Sequence, residues 1–381
     1  MLPLLCITAC SAAVASGQPG LTDAEWQRDG GAPQTSEPAP EPDRSDELDP
    51  AARLREVAIA VGPGVIVHGL GQHRAGRPEA ARKLLVAEAV GLGLTAVGLS
   101  GLALTGASRY TVAPLALTTM AGVGLFATSW LTDVYAVARP AGSEGAAPRF
   151  APRLVSEMGY RHVADPQFPY RHFLMHRFEL RVGKLALEPS GWFALDENNA
   201  RLRLAARYRL AGATPGRPCV DGTFWDLELA GTHHRYDHDG FRIATGEAST
   251  RVRLDLARRH AAFRGAFVQG GAGFALQRTA YDVPAVSIPA DWSEMLLGEL
   301  GFGFYFGEPA RYDGEVRLFY DHRHDGYAAG MLMPGLGSGV IGHLGLDAVG
   351  FFGEQLGLRA EAQVGAAVVT GLSLVVRERR H

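Results

Sequence analysis

The chain has 381 residues, 47% of them hydrophobic, and a formal net charge of −3. That length allows one large domain and a smaller one, and the charge balance gives no basic footprint for nucleic acid. Positive charge is carried by arginine except at Lys83 and Lys184. A GC-rich genome produces that bias, and so does an interior whose carboxylates need rigid, bidentate partners.

Residues 1–16 predict an export signal, because an apolar run ends in Ala13-Val14-Ala15, an A-x-A cleavage pattern. Ile7-Thr8-Ala9-Cys10 offers the alternative of an acylated cysteine. Past it only Cys219 remains, which excludes an internal disulfide framework and a zinc ribbon. Residues 17–52 are rich in Pro, Gly and Ser and carry nine acids against Arg28 and Arg44. They hold too little apolar surface to offset ordering entropy, so a disordered acidic linker is expected.

A helical hairpin is predicted over 53–139. Residues 84–107 carry one charge, Glu88, and 111–132 carry none, each long enough to cross a bilayer. Ser108-Arg109-Tyr110 is a tight connection. Ala87, Gly91 and Thr95 repeat every fourth position, which lets two helix backbones approach. Asp133 and Arg139 mark the second exit. Ahead of the first run stand Pro63-Gly64, Gly69-Leu70-Gly71-Gln72 and Gly76. This PG…GQ…G pattern resembles the opening of small bacterial membrane-hairpin families. A phosphate-cradling loop is disfavoured, since no strand precedes it and the P-loop lysine is absent. His68 and His73 flank the turn with no carboxylate at ligand spacing, which favours capping over metal ligation.

From residue 150 to 381 the hydrophobic period changes to two. In RLRLAARYRL, Leu202, Leu204, Ala206, Tyr208 and Leu210 share one face, and Arg201, Arg203, Arg207 and Arg209 the other. The same alternation sets Val252 and Leu254 against Arg251, Arg253 and Asp255, Leu318 against Glu315 and Arg317, and Leu358 against Arg359 and Glu361. Ten strands are predicted, with a range of 8–12: 172–187, 199–211, 222–235, 241–257, 261–281, 293–307, 312–323, 338–351, 355–365 and 368–378. An eleventh near 151–162 is possible. The connections expected outside, 188–198, 236–240, 282–292 and 324–337, are mostly longer than those expected inside, 211–221, 258–260, 308–311 and 352–354. That is the asymmetry of a transmembrane barrel, to which 211–221 is the exception.

A soluble sandwich would put the leucines inside, but gives two long apolar helices no solvent. A membrane barrel houses both, and lets inward Arg201, Arg203, Arg207, Arg251, Arg253, Arg317 and Arg359 meet Asp255, Glu299, Glu315 and Glu361. The fold class expected is therefore α+β: an antiparallel up-and-down transmembrane β-barrel behind an apolar helical hairpin. The strand region resembles Gram-negative outer-membrane β-barrel proteins, with stretches such as Tyr320-Asp321-His322-Arg323 at a strand end. The resemblance implies an exported outer-membrane protein whose partners are membrane lipids and envelope proteins. The closing VVRERRH departs from the terminal aromatic common in such barrels. Glu88 and Pro114 lower the hairpin's insertion drive, which would otherwise arrest it in the inner membrane.

Two His/Asp clusters, THHRYDHDG with His233, His234 and His238, and YDHRHDG with Asp321, His322 and His324, could ligate a metal. Asp-Gly also marks hairpin turns, which accounts for both clusters without chemistry. Ser249, Ser287, Ser293 and Ser338 lie in no G-x-S-x-G elbow. Aromatics such as Trp192, Trp225, Tyr281, Trp292 and Phe352 sit near strand ends, as interface girdles do. A non-enzymatic envelope protein with a blocked, charged lumen and no cofactor is expected, in a structural, anchoring or small-solute role. The alternatives are a lipid-modifying enzyme using an outer-rim histidine and a metal-binding surface module.

Overall fold

The computed structural model describes residues 50–106, 108, 110–139, 145, 147–148, 151–166, 171–236, 240–281, 289–308, 312–329, 331–332 and 340–378. The expected export signal and all but the end of the expected linker lie outside this set. The described residues open with helix α1 (Pro50–Val61), a single turn at Pro63–Val65 and the short helix α2 (Leu70–Arg74). Two long helices follow, α3 (Pro78–Thr105) and α4 (Val112–Ala138), of 28 and 27 residues. Both are long and apolar enough to cross a membrane. They pack backbone to backbone where side chains are small: a Cβ on Gly91 would lie 2.8 Å from the Phe126 nitrogen, and one on Gly122 2.5 Å from that of Thr95.

The strands are β1 (Leu154–Ala164), β2 (His172–Val182), β3 (Leu185–Ala194), β4 (Ala200–Ala211), β5 (Phe224–Arg235), β6 (Arg242–Asp255), β7 (Ala266–Ala280), β8 (Asp291–Glu308) and β9 (Tyr312–Asp321). A small separate hairpin, β10 (Met331–Leu332) with β11 (Val340–Ile341), comes next. The series ends with β12 (His343–Phe352), β13 (Leu356–Val364) and β14 (Val368–Arg377). Apart from β10 and β11, each strand pairs antiparallel with its neighbours in sequence, and β1 pairs with β14 to close the barrel. The barrel has twelve strands, the upper end of the expected range.

Two corrections account for the difference from ten. The eleventh strand exists as β1, and it is the element that closes the wall. The expected strand 172–187 reverses at Gly183, where φ is +57°, so most of the expected loop 188–198 is strand β3. Outward Val182 and Leu185 pair across the turn three positions apart, so the period-two phase shifts by one residue at Gly183-Lys184. Pro189 lies within β3. Proline has no N–H to give the ladder. The β2–β3 pairing lapses there, between Arg177↔Ser190 and Leu180↔Leu187.

The aliphatic rows face outward. Leu204 is 58% exposed and Leu202 48%, with Leu210, Leu356 and Leu358 also exposed on the wall. Helix α4 lies against this outer wall over β7 and β8. A Cβ on Gly124 would lie 2.4 Å from Leu300, and Tyr135 stacks on Phe304 at 5.3 Å. The base of the hairpin is tied to the 256–265 turn. Lys83 Nζ donates to the Arg259 carbonyl at 3.1 Å, Arg139 donates to the Ala262 carbonyl at 2.9 Å, and Ala80, Leu84 and Ala136 pack on Phe263.

Candidate functional site: the charged lumen and the segment inside its mouth

Strand alternation places every second residue of the wall inside the barrel. There the arginines meet carboxylates. Arg203 donates to Glu228 at 2.7 Å and to Glu247 at 3.2 Å. Arg207 is bonded to Glu188 at 2.7 Å and also to Glu179. Arg253 forks onto Glu315 at 2.6 and 3.0 Å while lying 3.9 Å over the Phe267 ring. Arg251 and Arg317 share Glu299, the first at 3.5 Å. Arg359 lies 3.6 Å from Asp347 and 3.7 Å from Glu157, and Arg161 bonds Glu361.

Two of the residues named from sequence behave differently. Asp255 accepts from the backbone of Ala257 at 3.0 Å and Gly222 at 3.2 Å, capping a turn instead of pairing with an arginine. Arg201 has no carboxylate within ion-pair distance among the described residues, and its Nε has no hydrogen-bond partner. Most of the acids that partner the arginines were missed: Glu157, Glu179, Glu188, Glu228, Glu247, Asp226 and Asp347. The signal was present in the same alternation, as in FELRV and WDLEL, but register across strands decides which acid meets which arginine.

Arg209 and Asp226 form a bidentate pair at 2.7 and 2.8 Å, both nearly inaccessible to solvent. Removing one partner of a buried pair strands the other charge. Asp226→Ala should lower unfolding stability by about 3–5 kcal/mol, read as a shifted urea midpoint of the vesicle-inserted protein. Asp226→Ala with Arg209→Met should recover most of that loss. A single variant as stable as the parent would show that the pair contributes nothing.

The expected outer loop after β9 turns inward. Tyr327 lodges inside the barrel between Trp192, stacked at 5.0 Å, and Phe173, at 4.7 Å, in a buried cluster with Val163, Ala328, Ala367 and Val369. Its hydroxyl donates to Asn199 Oδ1 at 2.8 Å, which His234 Nε2 also meets at 3.0 Å. Arg323 reaches across to Glu247, and the Ala328 carbonyl accepts from Ala367 at 3.1 Å. Ala329, at φ +46°, is the one non-glycine in the left-handed region among the described residues. Beneath Tyr327 and Trp192 lies a cavity of about 260 Å³ lined by Arg201, Arg203, Glu228, Glu247, Arg251 and Arg323. At the other end Tyr305 and Phe267 pack inside at 4.8 Å, so close to Gly222 that a Cβ there would lie 2.0 Å from the Tyr305 hydroxyl.

The two His/Asp clusters do not converge. His233 faces outward and His234 inward, because neighbours on a strand point to opposite faces. His322 bonds Tyr320 at 2.8 Å and His324 is exposed. Asp321 instead accepts from the Arg323 backbone. His238, Ser287 and Ser338 lie outside the described residues. Among the described residues no three His, Cys, Asp or Glu side chains form a metal-ligating group. Ser249 faces the lumen cavity and Ser293 meets Gln277, so neither activates with His234 or His322. The aromatics divide likewise, with Trp225, Trp292 and Phe352 exposed on the outer wall and Trp192 inside.

A second polar cluster, at the hairpin base, was read from sequence only as a turn. The Asp133 carboxylate accepts from the backbone nitrogens of Gly69, Gly71 and Gln72 at 3.0, 3.2 and 3.0 Å. Gly69 has φ +87°, and a Cβ there would lie 2.6 Å from the Ala81 carbonyl. His68 donates its backbone N–H to Glu88 at 2.9 Å, and its ring meets Ser129 Oγ at 2.5 Å. Ser129 gives its own proton to the Phe126 carbonyl, so the imidazole Nδ1–H is the donor and the serine is not activated. Burial holds the His68 imidazole below its ordinary pKa.

These features define a closed up-and-down β-barrel with an apolar outer wall and a charged lumen, flanked by an apolar helical hairpin. No family model and no curated protein matches the chain. Among solved structures, it is similar to the translocator domain of the autotransporter NalP from Neisseria meningitidis, at 11% identity and a TM-score of 0.36 over 60% of this chain and 88% of that one. The β domain of the Bordetella autotransporter BrkA gives 14% identity and a TM-score of 0.33, over 60% and 98%. The outer membrane protein Omp33 of Acinetobacter baumannii gives 9% and 0.31, over 61% and 100%. Likeness at this level carries no functional inference.

Proposed function

We propose that this chain is a non-enzymatic outer-membrane barrel whose lumen is sealed, serving as a structural or anchoring element of the envelope, with its hairpin lying in the same bilayer. The observation that carries the reading is Tyr327 lodged inside the outer mouth above a lumen cross-linked by arginine–carboxylate pairs. The aliphatic outer wall supports lipid as the surrounding solvent, because large contiguous apolar surface is unstable in water. Helix α4 is about 40 Å long at 1.5 Å per residue, enough to cross the hydrocarbon beside the wall. A small-solute role is favoured by one feature, the unpartnered Nε of Arg201 at the cavity.

Membrane fractionation with a heat-modifiability gel tests the placement. The protein is expected in the outer-membrane fraction, migrating differently before and after boiling. Recovery as a water-soluble particle would refute it.

A further inference from the structure

The outer wall has a dent near its outer rim. Gly231 on β5 and Gly246 on β6 are register partners, both outward, and a Cβ on either would meet nothing within 4 Å. The flanking positions in the same row are Leu204 on β4 and Leu276 on β7. The groove so formed has a volume of about 650 Å³ and is also lined by Leu202, His233, Arg278 and Trp292. Glycine weakens a strand interior and often marks close approach by a ligand. The volume falls in the range of ligand clefts.

Cations stand at one end of this groove. One row outward is His233–Ala244–Arg278–Trp292, and the next holds Arg235 paired with Arg242. His233, Arg235, Arg242 and Arg278 are all exposed. No carboxylate pairs with Arg242 or Arg278 among the described residues, and Arg235 bonds the neutral side chain of Asn198. Glu294, outward beside Leu276, makes no ion pair with Arg278. Inward Arg203 and Arg253 have carboxylate partners, with Arg201 the exception. The outer set has an apolar trough below it and, among the described residues, no carboxylate in an ion pair with it.

We propose that this groove binds one phosphate-bearing lipid of the surrounding leaflet, its acyl chain over Gly231 and Gly246 and its phosphate at Arg278, Arg242 and His233. The arginines supply forked donors to phosphate oxygens, and Trp292 closes one side of the chain's path. The proposal rests on the lipid-facing wall argued above.

Tryptophan quenching in vesicles tests the two separately. The full chain is reconstituted in phosphatidylcholine, and the contributions of Trp292 and Trp225 are taken as differences from Trp292→Phe and Trp225→Phe. Undiluted bromine-labelled phosphatidylcholine should quench both, which tests the wall alone. With a small mole fraction of bromine-labelled phosphatidic acid, Trp292 should be quenched well beyond the level given by equally dilute labelled phosphatidylcholine. Arg278→Ala should cut that preference about fivefold, and Gly231→Leu with Gly246→Leu should abolish it while the barrel stays heat-modifiable. Equal quenching by the two dilute lipids would overturn the groove and leave the wall standing. So would displacement by soluble glycerol phosphate at matched concentration, since the chain would then contribute nothing.

Discussion

Replacing Arg323 and Tyr327 with alanine is expected to turn a barrel that carries no steady current into one that does. Tyr327 fills the mouth by stacking on Trp192 and Phe173, and its hydroxyl is held by Asn199. Arg323 anchors the same segment to Glu247 on β6. Aromatic pairs contribute about 0.5–1.5 kcal/mol each beyond their buried area. Breaking a buried guanidinium–carboxylate pair by removing one partner costs about 3–5 kcal/mol. Without either side chain, the attachments that outweigh the strain at Ala329 are gone, and the segment should leave the lumen for water. In planar bilayers the parent should show baseline and the double variant discrete, lasting steps. Tyr327→Phe keeps the stacking and should stay closed. Large steady conductance from the parent would refute the sealed lumen, and a silent double variant would place the seal elsewhere.

Asp133→Ala should release the turn ahead of the apolar hairpin. Three backbone N–H groups converge on this carboxylate, and all are buried with it. Hydrogen bonds to a charged group contribute about 1.5–3 kcal/mol each, and donors left unsatisfied add their desolvation cost. The three are coupled, so a loss of about 3 kcal/mol or more in local stability is expected. Hydrogen exchange at Gly69, Gly71 and Gln72 reads it directly, with protection falling by two orders of magnitude or more. Asp133→Asn keeps an acceptor oxygen and should fall between. Exchange unchanged in the alanine variant would mean that the glycine-rich turn is held by packing alone. The barrel's heat-modifiability should be unaffected, because the wall is closed by its own strands.

The glycine pattern shows how far residues alone can be read. Pro63-Gly64 and Gly69-Leu70-Gly71-Gln72 were visible as a turn into a helix, and Asp133 as an exit charge. That one receives the other could not be seen, since they lie 61–64 positions apart and meet only when α4 returns along α3. The turn at Gly183 was legible as a change of phase, since outward Leu180 and Val182 are followed by outward Leu185 and Leu187. His233 and His234 looked like a ligand pair because adjacency in sequence is separation across a strand.

What the sequence by itself determined is the period and the polarity: two apolar helices, alternating strands, leucine on one face and arginine on the other. Those follow from the 3.6- and 2-residue repeats, which are local properties of the backbone. The tertiary structure alone decided the closure by β1, the partner of each arginine and the inward turn of Tyr327. Each depends on register between strands far apart in the chain, and a shift of one residue in register would exchange lumen for lipid along the whole strand.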